Sequence, residues 1–332
     1  MLKYMIFRII SIGLLATLFT SCSNDFDLTE PPREIPVVYG LISAADTTQY
    51  IRVEKAFIDE NIPANVLAMD PANLYFENLD VKIRHNRTGT EYNLTKVDGN
   101  TVGLQRSPGA FAQAPNFVYK LASKTNPLTA KDEYTLILRK PDGTTLSTAT
   151  TRLLAKYENT DVTTPGVNSL IGFTYNGDFR IVWAADENAA IHDIQLIMHY
   201  VEERPGMPVE RRSITWHMAR NYDRSTFSIR GREFYEFLAR NMDANPNVAR
   251  YFEHFSLSIT SGGKEIRDYI SVGQANTGIT SSGEIPTYSN LSNGGLGVFS
   301  SKSQFLRTNI GATPPTIDSL KNGFITKSLN FR

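Results

Sequence analysis

The sequence predicts a mainly β chain built as two β-sandwich domains of the immunoglobulin and fibronectin III kind, with one or two short helices in the second. Three observations lead there. Apolar and polar residues alternate in short runs separated by turn signals, the pattern of half-buried strands. That pattern lapses over residues 155–169, where residues 161–168 (DVTTPGVN) are polar and turn-rich, and then restarts. Hydrophobic residues make up 41% of the 332, enough for a packed core and too many for a disordered stalk.

The first domain is placed at residues 37–155. Residues 37–42 (VVYGLI) form a short apolar run, and residues 49–57 set Tyr50, Arg52 and Glu54 against Ile51 and Val53. Residues 79–83 alternate again, and residues 91–97 follow the turn at Thr88-Gly89. Residues 132–151 give the clearest hairpin, because Pro141-Asp142-Gly143 separates two runs rich in β-branched residues. Within it Tyr134, Leu136 and Leu138 share a face by period two. Residues 64–76 are a longer connection, with a helical turn starting at Asp70-Pro71.

The second domain is placed at residues 156–332. Phe179–Trp183 restarts the strand pattern, residues 191–202 make a long strand, and residues 212–219 return antiparallel after the Pro205-Gly206-Met207-Pro208 turn. A helix is predicted near residues 232–241, where Phe234, Phe237 and Leu238 lie on one face by i, i+3, i+4 spacing. Asn245-Pro246 is a second helix-start signal. Phe255, Leu257 and Ile259 mark another strand, and the Gly-rich stretch at residues 288–299 leads into apolar residues.

The N-terminus carries the most specific signal. Lys3 and Arg8 precede or open an apolar run at residues 9–19, and small residues follow before Cys22, the only cysteine. This is the form of a secretory signal peptide, too short to span a bilayer, which takes about 20 apolar residues. The segment resembles a bacterial lipoprotein signal, although Phe19 stands where such signals usually carry Leu. The resemblance implies removal of residues 1–21 and acylation of Cys22 with palmitate-type chains, which anchor a protein without a transmembrane helix. Residues 22–36 would form the lipidated tether, stiffened by its prolines. Ser23, Asn24, Asp25 and Asp27 resemble the acidic export signal of Bacteroidota lipoproteins displayed on the outer face of the outer membrane.

Residues 35–57, residues 179–203 and residues 288–301 (YSNLSNGGLGVFSS) together resemble a family of Bacteroidota outer-membrane lipoproteins of unassigned function. The resemblance implies a cell-envelope role beside TonB-dependent transporters. Asp46-Thr47-Thr48 and Asp318-Ser319-Leu320 resemble the short O-glycosylation motif of the same bacteria, which implies Thr47 and Ser319 as attachment sites.

Catalytic constellations are harder to find. With Cys22 acylated no free thiol remains, which removes disulfides, cysteine zinc sites and thiol nucleophiles. None of the five histidines has a zincin spacing. His199 and His217 are expected to face each other across the hairpin near Gly206, without a third ligand. No G-x-S-x-G elbow exists, and Ser261-Gly262-Gly263-Lys264 reads as a turn. Asp186-Glu187 and Glu202-Glu203 are adjacent carboxylates, which on a strand point to opposite faces. Asn293-Gly294-Gly295-Leu296-Gly297 reads as a tight turn needing positive φ. Trp183 and Trp216 read as core. Tyr288, Asn290, Asn293 and Phe299 form a candidate binding loop. Basic and acidic residues balance at 34 each, with no basic stripe for nucleic acid.

The expectation is a surface-exposed, outer-membrane lipoprotein that is not an enzyme and uses neither cofactor nor metal. It would serve as an accessory or binding subunit of a cell-envelope complex, with a TonB-dependent transporter or another outer-membrane β-barrel as partner. The alternative is a free-standing surface lipoprotein that binds glycan or peptide, using exposed aromatics on the second domain.

Overall fold

A computed structural model describes residues 34–57, 62–275 and 287–332. The chain is mainly β, and residues Ile35–Arg332 form one compact unit. Cys22, Ser23, Asn24, Asp25 and Asp27 lie outside the described residues.

Among the described residues the first half supplies eight strands: β1 (Pro36–Ile42), β2 (Gln49–Lys55), β3 (Asp80–His85), β4 (Glu91–Asn93), β5 (Thr95–Asp98), β6 (Phe117–Leu121), β7 (Glu133–Arg139) and β8 (Thr145–Arg152). They pair as β1-β2-β6-β5 and β4-β3-β7-β8. In immunoglobulin lettering these are A-B-E-D against C′-C-F-G. Val38, Ile51 and Val53 from one sheet and Val81, Ile83, Leu136 and Leu138 from the other close the core between them. Tyr134, wholly buried near the start of strand F, accepts a 2.7 Å hydrogen bond at its hydroxyl from the Thr129 amide. That is the tyrosine corner of immunoglobulin-like folds. Between β2 and β3 lie two single-turn helices, α1 (Ala64–Leu67) and α2 (Pro71–Leu74). Asp70 caps the second through the Ala72 amide at 3.0 Å, as its place before a proline predicts.

The second half repeats the plan. Strands β9 (Val162–Thr164), β10 (Asp178–Trp183) and β13 (Thr226–Arg230) form one sheet, in the order β13-β10-β9. The other holds β11 (Ile191–Glu203), β12 (Glu210–Tyr222), β14 (Ala249–Gly262) and β15 (Leu296–Ile310), in the order β12-β11-β14-β15. This is E-B-A against C′-C-F-G. Helix α3 (Gly231–Asn241) follows strand E and buries Phe234, Tyr235 and Leu238 in the core. Phe237 stacks on Trp216 at 5.5 Å, and both tryptophans are buried.

The sequence did not predict strands β6, β9 and β13, nor two helices, α4 (Lys264–Ala275), after β14, and α5 (Pro314–Asn322), after β15. The Asn245-Pro246 signal starts no helix. The Asn245 side chain instead accepts from the Asn247 amide at 2.9 Å, and Ala249 is already paired with Glu203 of β11. Strand pairing captures residues 249–253.

The two halves are joined by β15. Residues 296–301 pair parallel with β1, from Val37↔Leu296 to Ile42↔Ser301. From Lys302 onward its other edge pairs antiparallel with β14. The result is one eight-stranded sheet, β12-β11-β14-β15-β1-β2-β6-β5. The chain passes from one core to the other after Leu153, and residues 291–301 then return to the first core through Leu291 and Phe299.

The turn before β15 has the positive φ expected of it, at Asn293 (56°), Gly294 (74°) and Gly297 (96°). Gly297 has a second constraint, since a Cβ there would lie 2.0 Å from the Val38 carbonyl oxygen. Gly89 shares a positive φ of 73° but has open space around it. Gly89→Ala is therefore expected to cost about 1–2 kcal/mol, the left-handed penalty alone. Gly297→Ala is expected to cost several times that, because β1 and β15 must separate. Chemical denaturation of the two variants measures this, and equal losses would refute it.

Candidate functional site

A polar region lies where the two sandwiches meet. Glu265, in the first turn of α4, accepts from Thr151 of β8 at 3.0 Å and from Ser300 of β15 at 2.8 Å. Ser301 donates to the Arg152 carbonyl at 2.7 Å. On the same side of β8, Ser292 bonds Thr148 through both its amide and its hydroxyl, and its carbonyl accepts from Ser147 at 2.8 Å. These contacts close the open edge of β8.

Two hollows flank the loop between β10 and β11. One, of about 840 Å³, is bordered by charged groups that include Glu133, Arg152, Asp223, Lys264 and Arg267. The other, of about 280 Å³, is lined by Tyr157, Ser261, Ser303 and four alanines, with Lys131, Lys156, Asp161, Asp186 and Glu187 also on its wall. Asp186 organises the loop between them, accepting from the Ala155 and Asn188 amides at 3.0 and 2.9 Å. Burial works against its ionisation, and those hydrogen bonds overcome it and hold its carboxyl below the usual range. At the back of the smaller hollow the Ser261 hydroxyl sits between the Tyr157 hydroxyl at 2.6 Å and His192 Nδ1 at 2.7 Å. Burial pushes the Tyr157 hydroxyl up to about 12 and lowers the pKa of His192, so both groups are neutral at pH 7.

A third hollow, about 400 Å³, opens on the outer face of the fused sheet. Tyr39, Leu41, Tyr50 and Arg52 line it, with the Asp46–Lys302 ion pair at its edge. Tyr39 packs edge-on against Tyr269 of α4 at 6.1 Å.

The residues singled out in the sequence fall in different places. Phe299 is wholly buried in the first core. Asn290 spends its amide on Phe299, donating to its carbonyl at 2.7 Å and accepting from its amide at 3.0 Å. Asn293 donates to the Leu146 carbonyl at 3.3 Å, and Tyr288 is half-buried. Thr47 is exposed in the β1–β2 turn, whereas Ser319 is half-buried in α5.

His199 and His217 do not face each other. The register places Ser213 opposite His199 and Gln195 opposite His217. His199 lies instead opposite His254 of β14, stacked at 4.3 Å. Among the described residues no cluster of three His, Cys, Asp or Glu could hold a metal. Ser261-Gly262-Gly263-Lys264 is a strand-to-helix corner, between β14 and α4, rather than a simple turn.

The adjacent carboxylates part as strand geometry predicts. Glu203 is exposed, while Glu202 is buried against Arg250 at 2.9 Å. Burial opposes ionisation of Glu202, and Arg250, Arg204 and Arg212 outweigh it, holding the carboxyl below its usual range. Arg250 also donates to the Leu329 carbonyl at 2.7 Å and so docks the C-terminal segment.

Fold and junction together define a pair of immunoglobulin-like sandwiches fused through one sheet. No protein-family model matches the chain, and no curated protein does. One solved structure it is similar to is described as "Structural insight into host cell surface retention of a 1.5-MDa bacterial ice-binding adhesin". The two share 9% identity over 85% of this chain and 67% of that one, with a TM-score of 0.17. Among the described residues no helix is long and apolar enough to cross a membrane.

Glu202→Gln strips the charge partner from a buried guanidinium and is expected to cost about 3–5 kcal/mol, read by urea denaturation. A loss under about 1 kcal/mol, the worth of an exposed pair, would show that Arg250 finds other compensation. Two histidines, His192 buried and His199 half-buried, contribute to acid sensitivity. Burial lowers the pKa of His192 and of His199, the latter also beside His254. Their folded values lie below the unfolded value of about 6.5, so the folded state binds fewer protons. The stability they contribute is complete above about pH 6.5 and is lost as pH falls through the folded values. Tm is expected to fall on acidification from neutrality to about pH 5, and less steeply in His192→Gln. Parallel Tm profiles for the two proteins would refute the assignment.

Proposed function

We propose that this chain is a lipid-anchored protein of the outer membrane, displayed on the cell surface, and that it acts as a non-enzymatic accessory or binding subunit of a cell-envelope complex. The observation that carries the reading is Cys22 at the end of a signal-like apolar run, followed by the acidic Ser23–Asp27 segment. The compact unit begins at Ile35, a short stretch beyond that cysteine. Two acyl chains would give stable anchoring, which one chain does not. The resemblance to Bacteroidota outer-membrane lipoproteins supports the same address. The partner is a TonB-dependent transporter or another outer-membrane β-barrel.

The outer-face hollow favours the second reading, a free-standing surface protein that binds glycan. Tyr39 and Tyr50 offer rings at a sheet surface, and Arg52, Asp46 and Lys302 offer polar groups beside them. Aromatic side chains join a large apolar face to a polar tip, which suits such ligands. This platform belongs to the first sandwich, whereas the sequence suggested the second. Thr47, exposed beside it, is the better placed of the two glycosylation candidates.

One experiment separates these readings. The tagged protein is labelled with a palmitate analogue in cells and recovered from solubilised outer membranes. Lipid label and a co-purifying β-barrel, both lost in Cys22→Ala, are the expected result. Unlabelled wild-type protein would sink the anchoring. Labelled protein recovered alone, and retarded in polysaccharide gels unless Tyr39 and Tyr50 are replaced by Ala, would transfer the reading to the glycan binder.

A further inference from the structure

We propose that the smaller hollow at the junction is a binding site for a neutral, hydroxyl-rich molecule the size of a single sugar ring. The site goes beyond the anchoring and partnership proposed above, and neither depends on the other.

A cross-strand serine pair forms the floor of the hollow. Ser261 of β14 and Ser303 of β15 are directly opposite in register and so share a face. Both are buried, at 1% and 3% exposure. Their neighbours on that face, Ile259 and Phe305, pack in the second core. The serines continue that face toward the first sandwich, where the hollow takes the place of core. Their hydroxyls have different fates. The oxygen of Ser261 is used by Tyr157 and His192, while the hydroxyl of Ser303 has no hydrogen-bond partner among the described residues. Leaving a buried hydroxyl unpaired costs about 1–3 kcal/mol, and most buried polar groups are satisfied.

The walls add room. Ala155, Ala184, Ala185 and Ala189 come from the two connections that meet here, and side chains larger by two or three carbons at those positions would fill the space. At about 280 Å³ the hollow lies just below the range for drug-sized ligands, about 300–1,000 Å³, which suits a single ring. It also sits between two sandwiches, where such pockets concentrate.

The chemistry of the lining selects the ligand. The groups at the back are hydroxyls, each able to donate and to accept. Burial keeps Tyr157 protonated and His192 uncharged, so no net charge is built into the floor. The charged wall residues are mixed in sign, two lysines with three carboxylates. Asp186 is spent on backbone amides, and Glu187 is paired with Arg152 at 3.2 Å. An anion or a cation finds no dedicated counter-charge at the floor. A ring bearing several hydroxyls can satisfy Ser303 and exchange hydrogen bonds with the rest.

Tryptophan fluorescence provides the readout. Trp183 packs edge-on against His192 at 5.2 Å, and His192 bonds Ser261 in the floor. Full-length mature protein in detergent is titrated with glucose, galactose, mannose and N-acetylglucosamine, and in parallel with glucuronate, glucosamine and glycine. Saturable change with at least one neutral sugar is expected. Ser303→Ala should weaken that binding by roughly two- to tenfold, the worth of one neutral hydrogen bond, without lowering Tm. Ala189→Leu should abolish binding while circular dichroism shows the β fold intact. The proposal is overturned if no neutral sugar gives saturation, if Ser303→Ala binds as the wild type does, or if a charged probe or glycine binds in preference. It is also overturned if Ser303→Ala lowers Tm and leaves binding unchanged, since Ser303 would then be only structural.

Discussion

Everything in this molecule depends on one strand using both of its edges. β15 hydrogen-bonds to β14 along its second half and to β1 along its first. An isolated sandwich would leave strand G of the second half and strand A of the first as exposed edges, which invite unwanted pairing. Joining them removes both edges at once and makes eight strands one sheet. A parallel pair of this kind needs a long connection, and here nearly the whole chain between β1 and β15 supplies it. The contact is therefore of the highest sequence separation, and its loop-closure entropy is offset only when both cores are formed.

Fusion of this kind dictates where polar groups go. Strand ends, a helix start and two connections converge beside the β1–β15 pair, and their backbone groups need partners. Short polar side chains supply them. Ser300 and Ser301 are fully buried, Glu265 joins β8 to β15, and Asn290 pairs with Phe299 as a strand neighbour would. Such lining is bonded rather than close-packed with large apolar side chains, so hollows remain on either side of the β10–β11 loop. The candidate binding sites are thus a consequence of the joint, formed by residues that neither sandwich assembles alone.

Local features were legible in the sequence where their cause is local. The β7–β8 hairpin follows from its turn, the amphipathic face of α3 from helical spacing, and the opposite faces of Glu202 and Glu203 from strand pleating. Register was not legible. His199 and His217 look like hairpin partners, yet the pairing sets Ser213 against the first and brings His254 from a distant strand. Helix α4 escaped although Ile266, Tyr269 and Ile270 follow i, i+3, i+4 spacing, because the Ser-Gly-Gly-Lys stretch that opens it carries a turn signal. Phe299 looked like part of a loop surface because its Gly-rich approach signals a turn, and its burial depends on β1 arriving beside it.

By itself the sequence determined the class of fold, most strands of each sandwich and the turn glycines that positive φ demands. Each rests on side-chain period, backbone stereochemistry or a contiguous motif, all of which act over a few residues. Tertiary structure alone decided that two sandwiches share a sheet and that Ser261 faces Ser303. It likewise set a buried Arg250 to hold the C-terminal segment. Those outcomes pair residues tens to hundreds of positions apart, and only the simultaneous burial of two apolar cores selects one such pairing from the many that local pattern permits.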